Sequence, residues 1–146
     1  MPITWKKDPF QSEQGEFKRV ADDNSPNSKD ALINLNYLKL EYGKSSKVVL
    51  NDSTWSKLGN TGSWNVKTLD DLFANLRSDG IKRDVSRIVT QFIGTGTVNN
   101  YNGNVSCPII IQYADKYCEV VAGNTRLTMC RILNIRPYVV IVKTDW

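Results

Sequence analysis

The residues of this chain best placed for chemistry lie in one short run, EVVAGNTRL, Glu119 to Leu127. An apolar strand-like segment stops at Gly123 and a helix-like pattern follows. The first N–H groups of a helix have no intrahelical partner, and together with the helix dipole they favour an anion. Gly123 allows close backbone approach. Asn124 and Thr125 add polar side chains. Arg126 offers a planar fork of donors that matches a phosphate. Phosphate binding by Gly123, Asn124, Thr125 and Arg126 is therefore a chemistry this pattern permits, with Glu119 as the nearest acidic side chain. The residues alone leave a second reading open, a capped helix whose arginine pairs with a surface carboxylate.

Elsewhere the chain excludes more than it offers. It has no histidine, so Ser–His–Asp and Cys–His catalysis and histidine metal sites are ruled out. Cys107, Cys118 and Cys130 are widely spaced in apolar surroundings, which reads as three buried thiols rather than a metal or redox motif. Asp70 and Asp71 either offer carboxylates to Mg²⁺ or simply complement a helix dipole. Lys82, Arg83 and Arg87 either track a nucleic-acid backbone or form a solvated face with Asp79 and Asp84. Trp55, Trp64 and Tyr101 sit in polar segments where they either stack bases or fold back on the core. The run GTGT, 94–97, lacks both the Lys-Ser/Thr of a P-loop and the third glycine of a dinucleotide fingerprint.

Positioning these residues requires the following elements. Residues 1–29 are polar with scattered aromatics, Trp5, Phe10 and Phe17, and read as an arm that is loosely ordered unless it docks. LINLNYLKLEY, 32–42, alternates with a phase change and reads as a bulged strand, with 47–51 as its hairpin partner; a helix over 29–40 competes. Residues 52–65 read as a long loop. TLDDLFANLRSDGI, 68–81, predicts a helix capped by Thr68 and ended by Gly80. A second helix spans 83–94, ended by Gly94, and a polar loop follows to 106. CPIIIQY (107–113) and YCEVVA (117–122) form a hairpin of buried strands. Asn124 then caps an amphipathic helix, and PYVVIV, 137–142, is the last strand.

The order LDDLFANLRSDGI, then CPIIIQYADKYCEVVAGNTRLTMCRILNIRPYVVIV, resembles the ParB/sulfiredoxin-like fold family over about residues 68–142. The likeness rests on a glycine-ended helix, a strand opening near Pro108, and a hairpin whose second strand carries Glu119. A Gly-x-x-Arg turn from Gly123 to Arg126, a helix and a closing strand complete it. Residues 82–106 look like an insertion. The resemblance implies an α+β fold, a small mixed sheet packed with helices, as one domain over 30–146. It also implies a nucleoside triphosphate, with Mg²⁺, held by Gly123, Asn124, Thr125 and Arg126, with Glu119 as catalytic candidate, orienting Arg126 or assisting a metal. The cysteine that sulfiredoxins use as nucleophile is replaced here by Asn124 or Thr125, so reductase chemistry is not expected. Thr125 also stands where many members have a cation. The chain ends at Trp146, where partition proteins continue into a helix-turn-helix domain, so operator binding of that kind is not expected.

The balance of the sequence bounds the partners. Net charge is +4 and the pI about 9.0, which tolerates nucleic acid or a nucleotide. No apolar run approaches a membrane span and the N-terminus lacks the apolar core of a secretory signal, so a cytoplasmic protein is expected. Two function classes follow. One is a nucleotide- or DNA-binding enzyme, an NTP hydrolase, phosphotransferase or nuclease. The other is a non-catalytic DNA-binding or protein-interaction module, with the N-terminal arm and loops contacting a partner.

Overall fold

The computed structural model describes residues 3–25, 28–74, 85–97 and 100–146, without the side chains of residues 28, 29 and 64. The sequence-predicted Gly80 stop, Lys82, Arg83, the C-terminal end of the first central helix and the start of the second lie outside the described residues.

The architecture is α+β. Strand β1 (Thr4–Lys6) leads through a 3-10 turn (Phe10–Glu13) into α1 (Gln14–Asp23) and α2 (Ser28–Lys44). Then come β2 (Lys47–Val49), α3 (Asp52–Lys57), a 3-10 turn (Ser63–Asn65), α4 (Leu69–Ala74) and α5 (Ser86–Ile93). The chain closes with β3 (Asn104–Ser106), β4 (Ile109–Gln112), β5 (Cys118–Ala122), α6 (Asn124–Leu133) and β6 (Tyr138–Lys143). The main sheet runs in the order β2-β6-β4-β5, with β4 and β6 parallel and the other pairs antiparallel. β1 and β3 form a separate parallel pair.

The apolar runs of β4 and β6 are continuous because both faces of the sheet are covered. Ile109, Ile111, Val140 and Val142 join one core with Phe17, Leu38 and Tyr42. Ile110 and Val139 join another with Leu50, Leu58 and Leu127. Cys107, Cys118 and Cys130 are free and buried, as their apolar surroundings imply. Burial pushes the Cys107 thiol up to about 11, so it is protonated and inert at neutral pH.

The structure corrects the sequence reading in its first third. Residues 28–44 are helix, not a bulged strand. The parity change that imitates a bulge is the helical period: Leu35, Leu38 and Tyr42 fall at i, i+3, i+7, with Leu38 and Tyr42 buried. β2 consequently has no hairpin partner there and pairs with β6 instead. The predicted loop at 52–65 contains α3, capped by Asn51, whose side chain accepts from the Thr54 N–H at 2.8 Å. The N-terminal arm docks, through Phe10, Phe17, Val20 and Ala21, all buried. Thr68 caps α4 as expected, accepting from the Asp71 N–H at 3.1 Å. Asp70 and Asp71 are exposed there.

Candidate functional site

The β5–α6 junction has a tighter geometry than its sequence implies. The N-cap of α6 is Gly123, not Asn124, and its φ of 100° lies in the left-handed region. A Cβ at this position would meet Pro108 Cα and Cβ at 2.9 Å and Arg126 Nη2 at 3.0 Å. Gly123 is thus needed twice, for its backbone angle and for the space that Pro108 and Arg126 occupy. Gly123→Ala is expected to cost about 2–3 kcal/mol from the left-handed penalty plus local overpacking; chemical denaturation measures it.

Because the first intrahelical bond of α6 runs from the Leu127 N–H to the Gly123 carbonyl at 2.9 Å, the N–H groups of Asn124, Thr125 and Arg126 precede the ladder. All three residues line a cleft of about 1010 Å³. The N-terminal arm lines the same cleft, through Lys6, Asp8, Ser12 and Glu13, then Glu16 and Arg19 of α1. The same helix that buries Phe17 and Val20 on one face turns Glu16 and Arg19 into the cleft on the other, at helical spacing. From α5 come Arg87, exposed, and Gln91.

Two polar groups in this cleft are left wanting partners. The Arg126 side chain is only 12% exposed, and its nearest acidic oxygen, Glu13 Oε1, stands 3.9 Å from Nη2, beyond hydrogen-bond range. Among the described residues its guanidinium makes no hydrogen bond. Desolvation by burial lowers its pKa, and Glu13 and Asp8 only partly oppose that. Gln91 Oε1 is buried without a hydrogen-bond partner among the described residues. Buried polar groups are nearly always paired, so two such groups lining one cleft call for an explanation.

Glu13 is under tension too. Desolvation raises its pKa from 4.5; Arg126 lowers it, and Glu16 and Asp8 raise it again. Among the described residues, three carboxylates therefore share the cleft with four cations, Lys6, Arg19, Arg87 and Arg126. Arg19 is spoken for in part, by Glu16 at 3.0 Å and Asp23 at 3.5 Å. Among the described residues, no group of three or more acidic or cysteine side chains is arranged to hold a metal ion.

The sequence candidates separate accordingly. Gly123, Asn124, Thr125, Arg126 and Arg87 come together at the cleft. Glu119 does not line it; its β5 position pairs with Ile111 and bridges Gly59, and the carboxylates acting on Arg126 are those of Glu13 and Asp8. Lys82 and Arg83 lie outside the described residues. The GTGT run is folded on itself: Gly96 N–H donates to the Ile93 carbonyl at 3.0 Å and Thr97 N–H to the Asn100 carbonyl at 3.2 Å, so these donors are not turned to a ligand. Trp55 is covered by the Arg131 guanidinium, 3.8 Å from its ring centroid. Sequence reasoning missed Glu13, Glu16, Arg19 and Gln91. The one signal present is the Phe17, Val20, Ala21 spacing, which marks α1 as amphipathic and thereby fixes its polar face.

No protein-family model matches the chain, and neither a curated protein nor a solved structure matches it. No helix among the described residues is long and apolar enough to cross a membrane.

Proposed function

We propose that this chain is a ParB-like phosphate-binding module that takes a nucleotide or a nucleic-acid phosphate in the cleft at Gly123–Arg126. The observation that carries this reading is Arg126, a largely buried guanidinium without a hydrogen bond among the described residues, beside three helix N–H groups. A phosphate oxygen pair would accept the guanidinium fork while the N–H groups and dipole of α6 stabilise its charge. The surrounding Lys6 and Arg87 add long-range attraction. The resemblance in element order from the Pro108 strand to the closing strand supports the same turn. Phosphoryl transfer, with a nucleoside triphosphate and Mg²⁺, is the extension of this reading; Asp8, Glu13 and Glu16 are the carboxylates in the cleft, and binding is the part the geometry supports best.

The test is calorimetry with the nucleoside triphosphates, with and without Mg²⁺, and with a short DNA strand at low salt. At least one is expected to bind, and failure of all of them overturns the reading. Glu13 supplies a pH signature. Its raised pKa means the folded protein holds this proton more tightly than the unfolded chain. The stability from protonated Glu13 is full below 4.5 and is lost as pH rises through the raised value. Deprotonation also places a negative charge beside Arg126 that competes with the ligand. Glu13→Gln is therefore expected to tighten anion binding at pH 7 about fivefold, since a charge about 4 Å away is worth about 1 kcal/mol in high dielectric. The gain should vanish in acid, where wild-type Glu13 is already neutral. Titrating with sulfate, which stays doubly charged throughout, isolates the effect.

A further inference from the structure

Three hollows lie in succession along α6. The first is the cleft. The second, about 420 Å³, shares Asn60, Asn124 and Thr125 with it and includes Ser63 and Thr128. The third, about 430 Å³, shares Val66 with the second and is lined by Lys67, Arg131 and Arg136 around Trp55. Asn124, Thr128 and Arg131 fall at i, i+4, i+7, so one face of α6 runs beneath all three.

Charge is distributed unevenly along this row. Among the described residues, no carboxylate lines the second or third hollow. In the third, burial lowers the pKa of Arg131 and the neighbouring Arg136 lowers it further. The two guanidiniums are nonetheless fixed in place. Arg131 donates from Nε to Ser63 Oγ at 2.6 Å and from Nη2 to the Trp55 carbonyl at 2.7 Å. Arg136 donates to the Leu50 carbonyl at 2.8 Å and to Asp52 Oδ1 at 2.7 Å. The Asp52 carboxylate is 95% exposed and outside the hollow. Asp52 offsets Arg136 only from the solvent side, where an exposed ion pair is weak, so a hollow lined by Lys67, Arg131 and Arg136 still favours an anion.

We propose that this row is a track for single-stranded nucleic acid. One backbone phosphate sits at the Gly123–Arg126 end and a second at Lys67, Arg131 and Arg136. The inference rests on the phosphate reading of the cleft and adds the length of the ligand. From Asn124 to Arg131 is seven residues of helix, about 10.5 Å at 1.5 Å each, a distance that the backbone of a short single-stranded oligonucleotide spans. The middle hollow, walled by hydroxyls and amides, offers donors and acceptors to sugar and base edges. Because Arg131 already covers the Trp55 ring, affinity comes from the backbone and is tolerant of sequence. An isolated carboxylate would gain little from the neutral middle hollow, which sets an acidic peptide second.

The test compares thymidine monophosphate with a thymidine hexanucleotide by anisotropy competition and calorimetry on the whole chain. The hexanucleotide is expected to bind at least tenfold tighter. Lys67→Glu, at an exposed position, and Arg136→Gln should each remove most of that gain and leave the monophosphate affinity unchanged. The salt slope should become shallower by about 0.7 for each phosphate no longer neutralised. Melting temperatures verify that both variants fold; Arg131 is avoided because it ties Ser63 to Trp55. If the monophosphate binds and the hexanucleotide binds no tighter, the track is wrong while the cleft reading stands. If neither binds, the track falls, and the cleft reading is decided by the triphosphate titrations. If a poly-glutamate decapeptide binds with the same variant sensitivity and the hexanucleotide does not, the row belongs to a peptide and the proposal is overturned.

Discussion

Arg126→Met is expected to leave the melting temperature at or above that of the wild type while weakening phosphate binding by roughly 30- to 150-fold. The two effects have one cause. A guanidinium that is 12% exposed, with its carboxylate partner 3.9 Å away, has surrendered much of its hydration without full repayment. Replacing a buried ion pair by apolar side chains is commonly neutral or stabilising, and removing one partner alone is costly only where the other charge stays buried. Glu13, half-buried at the cleft wall, relaxes toward solvent when its cation is gone. In the proposed phosphate complex the same guanidinium would make charge-assisted bonds. Deleting them costs about 2–3 kcal/mol, which converts to that fold-change in affinity. Thermal unfolding in ligand-free buffer and calorimetry with the best phosphate ligand read the two halves separately. A variant that loses stability and keeps affinity would make Arg126 a structural residue and sink the proposed function.

Phe17→Ala should destabilise the fold by about 3–5 kcal/mol, the usual cost of emptying a buried phenylalanine site, which lowers the melting temperature by about 10 °C or more for a domain of this size. Phe17 is fully buried. Its ring stacks on Phe10 with centroids 4.5 Å apart and meets Tyr42 of α2 edge-on at 5.4 Å. Tyr42 in turn is tied to the arm, its hydroxyl donating to the Asp8 carbonyl and its own carbonyl accepting from Lys7 Nζ at 2.7 Å. The lesion should also weaken ligand binding, because α1 carries Glu16 and Arg19 into the cleft. Lys18→Ala, next along the chain but exposed, is the control and should change neither. Urea denaturation of the two variants decides whether residues 3–25 are part of the domain or an appendage.

What is legible in the sequence follows from the range of each interaction. The β4–β5 hairpin, α6 after it and the closing strand β6 are all encoded by patterns a few residues long: buried apolar runs, turn residues, a glycine stop. Sequence reasoning places them to within one or two residues. It misplaces residues 32–42 because their apolar positions satisfy both a bulged strand and a helix, and only packing against Phe17 and the sheet chooses between them. The same holds for the arm. Its three aromatics look scattered in sequence because their partners, Tyr42 and Phe92, are distant in it; Trp5 meets the Phe92 ring edge-on at 5.9 Å.

At the site, the turn is written into the local sequence. Gly123 has to be glycine because of its own φ, and the α6 N–H groups are left over by the local geometry of any helix start. Those are short-range facts. What faces that turn is set by the packing of distant segments. Glu119, four residues before Gly123, is carried away along β5, while Glu13, more than a hundred positions earlier, is brought to Arg126 by the docking of α1. Electrostatics acts through space and is weakly constrained by chain position, so the charges that tune Arg126 have no signature in the sequence around it.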